Sequence, residues 1–403
     1  MKTIQHSIIL LIIVSFFLSS CSKDKEEEVV PATISTPLVS DPSLAPFSTQ
    51  NKLALDSVIN YVLVGNSIPG VVVGVRSPTY GTYKNGFGVA NYSTQAPMTT
   101  DAIFGIGSVH KNFKWVLLHI LEKEGVLSLN DLVNTYVTDP VLPGITLRDL
   151  CMHSSGLIDI PESTNFNQIW QNGTFENSYD TMMHYLNNST GSNWYGPFTN
   201  GRLQNFTPGT DGSYSSYGPL ILGEVVKSIT GKNIRQLVHE KIVVPLGLTA
   251  TTHMAYEPDP VLLAPGHEDS VTVWTYTPTA QSTMGLSSAN GGAMHSDVSD
   301  LLTFTHNQFT NSNFISQNTI SNMTQQYVPG RFKKLGLGVI QFNQWAPSNF
   351  WGHAGFGIRA HSTTILHNEM YDLSIVVVTN IQTPMDDHQT NYAISEAILN
   401  YLH

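Results

Sequence analysis

Ser108 stands three residues ahead of Lys111 at the head of the apolar run FGIGSVHKNFKWVLL (104–118). Residues i and i+3 share a helix face, so the hydroxyl and the amine can meet within one turn. A serine hydroxyl is a poor nucleophile until a neighbouring base takes its proton, and the lysine amine can supply that base. Burial and the positive end of a helix both favour the neutral amine this requires. Two more segments carry candidate groups: Tyr214 follows a Pro-Gly turn in FTPGTDGSYSS (206–216), and His353 lies in WGHAG (351–355). Taken singly, each has a plain structural reading. The Ser–Lys pair is a spacing that chance supplies, Tyr214 a packing tyrosine, and His353 a polar residue at a strand end. Asp159 and Glu162, after a Ser-Ser-Gly turn, read as solvated loop residues.

Bringing positions 108, 214 and 353 together requires a large fold. Apolar residues at Leu53, Leu55, Val58, Ile59, Val62 and Leu63 predict a helix over 48–63, which Pro69-Gly70 ends. Val71–Val75 and Tyr83–Val89 read as strands. The helix carrying Ser108 runs to about Glu124, with Gly125 as its stop. Short helices are expected at 146–153, 218–231 and 296–309, the last capped by Ser296. Strands return at 336–342, 359–366 and 373–379, and a helix over 386–402 closes the chain. Strands at both ends with helices between predict an α+β chain, in which one sheet is built from both termini around an inserted helical lobe.

The N-terminus reads differently. Lys2, the apolar stretch Ile8–Leu18 and the small residues after it form a signal peptide over 1–20. The stretch is too short for a stable spanning helix. Leu-Ser-Ser-Cys resembles a bacterial lipobox, which marks Cys21 as the lipidated first residue of the mature protein. Residues 21–46, rich in charge, Ser, Thr and Pro, then form a flexible tether. This places the protein in the bacterial envelope, periplasmic or at the cell surface, anchored to a membrane. The sequence has only two cysteines, so with Cys21 lipidated Cys151 has no partner and reads as a small buried side chain. Hydrophobic residues at 41% are enough for a core over 47–403. A net charge of −11 without a basic stripe excludes a nucleic-acid partner. The 15 histidines form no H-E-x-x-H and no Cys/His cluster, so neither a metal nor another cofactor is expected.

The order S-x-x-K, PGT-x(3)-Y-S, H-x-G, with the segments IPGVVVGV (68–75), TLRDLCMHSSGL (146–157) and LSIVVVTN (373–380), resembles the serine β-lactamase and penicillin-binding-protein superfamily. The nearest branch is that of class C β-lactamases and DD-carboxypeptidases. The resemblance spans about 50–403 and implies a β-lactamase/transpeptidase-like fold. Its α/β lobe would comprise about 47–103 and 331–403 and its all-helical lobe about 104–330, with the active site between them. It implies Ser108 as the nucleophile of an acyl-enzyme, Lys111 as its proton acceptor, and Tyr214 as the proton shuttle. His353 would donate to a substrate carboxylate or tune Tyr214. Ser216, Ala354, Gly355 and Phe356 would line the substrate site, with the N–H groups of Ser108 and Phe356 as oxyanion hole. His153 matches a position read as structural.

Three positions depart from the family pattern. Ser216 stands where the family has Asn and lacks its amide fork, Gly212 replaces an aromatic residue, and Ala360 a glycine. The implied activity is hydrolysis of a small peptide, amide or ester, carboxypeptidase-like or D-amidase-like, by a monomer. A β-lactamase, or a lipoprotein that binds wall peptides without catalysis, are the alternatives.

Overall fold

The computed structural model describes residues 46–65, 67–139, 142–159, 190–193, 196–199, 206–253, 260–267, 273, 294–329, 334–342, 349–356, 360–381 and 389–402. The expected signal peptide (1–20), Cys21, residues 22–45 of the expected tether, Glu162 and Arg359 lie outside them. The chain opens with α1 (Thr49–Gly65) and three strands, β1 (Gly70–Ser77), β2 (Gly81–Asn91) and β3 (Ala96–Pro97). The middle holds β4 (Phe104–Gly105), α2 (Val109–Lys123), α3 (Leu147–Cys151), β5 (Thr190–Asn193), β6 (Gly196–Thr199), α4 (Tyr217–Thr230), α5 (Ile234–Val238), β7 (Thr252–His253) and β8 (Met294–Ser296). Then come α6 (Val298–Thr310), α7 (Gln317–Met323), β9 (Val328–Pro329), β10 (Lys334–Leu335), β11 (Ile340–Phe342), β12 (Phe350–Phe356), β13 (Ser362–Asn368), β14 (Leu373–Thr379) and α8 (Gln389–Leu402).

Nine of these strands form one antiparallel sheet in the order β3-β2-β1-β14-β13-β12-β11-β10-β9. The first three strands and the last six therefore share a sheet, joined where β1 pairs with β14. Two small sheets, β4-β8-β7 and β5-β6, accompany the helices of the middle segment.

The central strands are nearly continuous Val, Ile and Leu because both of their faces are covered. Successive side chains point to opposite faces of a sheet. On one face Val71, Val73, Val75, Ile375, Val377 and Leu366 pack with Leu55, Ile59 and Leu63 of α1 and Ile394, Ile398 and Leu402 of α8. On the other, Val72, Ile365, Val376 and Val378 join the core built by the middle helices. Helix α6 lies directly on that second face: a Cβ on Gly74 would stand 2.5 Å from a Val298 methyl. The cap of α6 is Asp297, whose side chain accepts from the Asp300 N–H, and not the expected Ser296. Ser296 is instead the last residue of β8 and bonds Thr251 through its hydroxyl at 2.9 Å. Two adjacent capping residue types are not separable by propensity alone, and the strand pairing of β8 settles which one enters the helix.

Helix α2 is buried on every face from Val109 to Leu121, the signature of a central helix. Gly125, left-handed at φ 72°, follows its end as expected.

Five buried histidines make the fold acid-sensitive. Burial lowers His119 to about 4, His153, His253 and His367 to about 3, and His110 well below the ordinary imidazole value. Between pH 6.5 and about 4 the unfolded chain binds protons that the folded chain refuses, so stability falls as pH is lowered through this window. Each histidine contributes a slope approaching about 1.4 kcal/mol per pH unit. Asp300, raised by burial to about 6, works in the opposite sense but is a single group. Thermal midpoints are expected to fall steadily from pH 7 to pH 5; a flat profile would contradict the burial of these rings.

Candidate active site

Ser108 occupies the N-cap position of α2, but its side chain caps nothing. Its Oγ lies 2.8 Å from Lys111 Nζ, so the expected one-turn pair is formed. As an ammonium, Lys111 donates to the hydroxyl; as a neutral amine it accepts the hydroxyl proton across the same contact. Lys111 Nζ also lies 5.4 Å from the centre of the Tyr214 ring. The next lysine along the helix, Lys114, is buried. That burial, with the charge of Lys111 second, lowers it to about 7.

The residue before the serine allows a close approach of two backbones. Gly107 is left-handed at φ 51°, and a Cβ there would run into the Phe356 amide nitrogen and stand 2.7 Å from the Gly355 carbonyl carbon. Conversely, a Cβ on Gly355 would press on the Ile106 carbonyl oxygen and stand 2.8 Å from the Ser108 nitrogen. The amide nitrogens of Ser108 and Phe356 thus border one contact between the start of α2 and the end of β12. Two backbone amides bordering one contact beside a helix N-terminus can stabilise a developing oxyanion where their N–H groups face it.

Taken alone, His353 reads as a strand-end residue; it sits instead in the middle of β12, opposite Ile365 of β13. The alternation rule misses β12 because six of its seven residues are buried, Gly352 and Gly355 among them, and only Phe356 at its end is partly exposed. On its other side, β12 pairs with β11 only through Phe350, Trp351 and Gly352. No described strand covers Ala354, Gly355 and Phe356 there, which leaves a short edge that an extended substrate can pair with. The His353 ring is buried, 6.2 Å from that of Tyr214. Its Nδ1 lies 2.8 Å from the Ala354 carbonyl oxygen, which can only accept, so the ring hydrogen sits on Nδ1.

Tyr214 is held by two loops stitched together. The His153 carbonyl accepts from the Ser213 N–H at 2.9 Å, and His153 Nδ1 accepts from the Ser215 N–H at 3.2 Å. The Asp159 carboxylate accepts from the Ser216 N–H at 2.7 Å. The His153 ring then stacks on Tyr214 at 4.5 Å, with Trp115 edge-on behind it. His153 is therefore a positioning residue, in keeping with the structural role the resemblance implies for it, and Asp159 is a second one that the sequence did not reveal. Asp159 is no solvated loop carboxylate, and nothing in local spacing marks either residue, because the loop amides they accept from lie 57 positions or more away. The Tyr214 hydroxyl is shielded from solvent and has no hydrogen-bond partner among the described residues. Ser216 caps α4 by position, with no side-chain capping bond. Cys151 is buried, as expected, with its Sγ 3.9 Å from His119 Nε2.

Known proteins bear on this arrangement. The beta-lactamase family model matches residues 55–399. Penicillin-binding protein 4* of Bacillus subtilis is 25% identical over 169 residues, which is 42% of this chain and 34% of that protein. D-aminopeptidase of Brucella anthropi is 26% identical over 196 residues, 48% of this chain and 35% of that one. The chain thus spans about a third of the length of these two relatives. The crystal structure of D-amino acid amidase from Ochrobactrum anthropi SV3 superposes with a TM-score of 0.73 at 19% identity, covering 88% of this chain and 99% of that one. At that identity the likeness shows the fold, a β-lactamase/transpeptidase-like one.

Proposed function

We propose that this chain, which belongs to the beta-lactamase family, is a serine hydrolase that cleaves small amides or esters of D-configured substrates through an acyl-enzyme on Ser108. The observation that carries the reading is the 2.8 Å contact between Lys111 Nζ and Ser108 Oγ beside the Gly107–Gly355 backbone contact. In this mechanism Ser108 Oγ attacks the substrate carbonyl carbon and passes its proton to the Lys111 amine. The carbonyl oxygen, now anionic, is met by the N–H groups of Ser108 and Phe356. Tyr214 hands a proton to the leaving nitrogen or oxygen as the scissile bond breaks. Water then attacks the acyl carbon by the reverse route and regenerates the serine.

Small residues at Ala354 and Gly355 let the substrate backbone pair with the open edge of β12, and His353 orients that end of the substrate. Ser216 offers one hydroxyl where an amide would make two bonds, which favours small leaving groups over long peptides. The D-aminopeptidase and D-amino acid amidase likenesses support the same substrate class. Cys21, lipidated, would place this activity in the cell envelope.

The test is a panel of D- and L-amino acid amides, p-nitrophenyl esters, D-Ala-D-Ala peptides and a chromogenic β-lactam. D-amides and esters are expected to turn over with a clear preference for D over L. Turnover confined to the β-lactam would reassign the chain to that activity. Tyr214→Phe is expected to keep the thermal midpoint, since the hydroxyl it removes bonds to no described group, while lowering kcat by about 10²-fold. An unchanged kcat would remove Tyr214 from the proton route.

A further inference from the structure

A second cluster of chemistry-bearing side chains lies on the nine-stranded sheet, away from Ser108. Register places Arg76 of β1 opposite Ser374 of β14, and Ser374 opposite His367 of β13. These three form a row across adjacent strands, on the same face as Val72, Ile365 and Val376 by the alternation of side chains. Helix α6 crosses that face, seated on Gly74 through Val298 and Leu302, and one turn further on it brings His306 to the row. The β13–β14 turn passes through a left-handed residue, Asp372 at φ 47°, whose carboxylate completes the group. His367 lies four residues along β13 from Thr363, the partner of Gly355, and so about 13 Å from the active-site end of the strand.

We propose that His306, His367 and Asp372 form a divalent transition-metal site, suited to Zn²⁺, that pins α6 to the end of the sheet. One ligand atom from each residue lies within 4.8 Å of the other two. His306 Nδ1 and Asp372 Oδ1 are 3.4 Å apart, close to the spacing of about 3.4 Å between tetrahedral ligands that each lie about 2.1 Å from zinc. The hydrogen bonds set the tautomer. The Thr310 hydroxyl donates to the His306 carbonyl at 2.8 Å, so its oxygen accepts from His306 Nε2–H at 3.0 Å. That leaves the Nδ1 lone pair aimed into the cluster. His367 Nδ1 is held by the Ser374 hydroxyl at 2.9 Å, and its ring stacks on Phe309 at 4.7 Å. Such outer partners fix the orientation of metal-ligating imidazoles. Asp372 Oδ1 is shielded from solvent and has no hydrogen-bond donor among the described residues. His306 and Asp372 are both partly exposed, which gives an ion and a fourth, water ligand a way in.

The cluster already holds a cation. Arg76 Nη1 lies 3.0 Å from His306 Nδ1 and 3.6 Å from Asp372 Oδ2. A metal ion must displace this guanidinium, and that competition makes the proposal testable in two directions. Untagged full-length protein, stripped with chelator, is titrated with Co²⁺ and then Zn²⁺. The readouts are the visible absorption of four-coordinate Co²⁺, the zinc stoichiometry by equilibrium dialysis, and the thermal midpoint. One equivalent is expected to bind and to raise the midpoint. Asp372→Asn and His367→Gln should lose the Co²⁺ signal, with folding confirmed by circular dichroism. Arg76→Ala should tighten binding by about tenfold or more, since a nearby unit cation opposes the ion. No stoichiometric binding in both the wild type and Arg76→Ala would overturn the site, leaving only an Arg–Asp–His ion cluster. So would binding that survives Asp372→Asn. No arm reads hydrolysis, so the outcome does not depend on the activity at Ser108.

Discussion

Ser108→Ala is expected to lower turnover of every substrate by about 10⁴-fold or more, with residual catalysis left to the oxyanion donors and to binding. The fold should be untouched. Ser108 Oγ caps no helix and, among the described residues, gives up its bond to Lys111, a change worth about 1 kcal/mol. Lys111→Ala should cost about as much in rate, because a hydroxyl without its base is as idle as a base without its hydroxyl. Groups that act as one unit are not additive, so the double variant should be hardly slower than either single one. Kinetics on the three variants, with thermal melts, check this. If the two losses multiplied, Ser108 and Lys111 would be working independently.

Gly107→Ala should cost about 10³-fold in kcat and also weaken the fold. The added methyl would collide with the Phe356 nitrogen and crowd the Gly355 carbonyl carbon, forcing α2 and β12 apart where the two amide nitrogens converge. Losing one oxyanion donor alone costs about 10²- to 10³-fold. The φ of 51° adds about 1–3 kcal/mol of backbone strain. Gly125→Ala is the matched control. It too is left-handed, at φ 72°, yet its Cβ would meet nothing within 4 Å. It should pay only the backbone cost of about 1 kcal/mol, with kcat unchanged. Equal kinetic effects at the two glycines would refute the backbone contact as the source.

How much of this was legible in the sequence depends on the range of the signal. The Ser108–Lys111 pair was, because both members sit on one helical turn and the pattern that builds the turn is local. The strands Val71–Val75 and Leu373–Thr379 were legible as runs too apolar to be half-exposed. β12 was not, since glycines interrupt it and its burial comes from neighbours far along the chain. The cap of α6 was misplaced by one residue because Ser296 and Asp297 are both good caps and only the β4-β8 pairing separates them. Asp159 and the His306–His367–Asp372 group were invisible for one reason: each gains its meaning from contacts across many intervening residues, and His153 was marked only by the family resemblance. The departure at Ser216 was plain in the sequence, because the residue type alone shows that the family's amide fork is missing.

Intact-mass spectrometry with peptide mapping tests the central claim most directly. Protein is mixed with a slowly released β-lactam or an activated D-acyl ester, quenched in acid and digested. An adduct of the acyl mass on the peptide containing Ser108, present in the wild type and missing in Ser108→Ala, is the predicted result. Hydrolysis that persists in Ser108→Ala, or an adduct that maps to another residue, would contradict it.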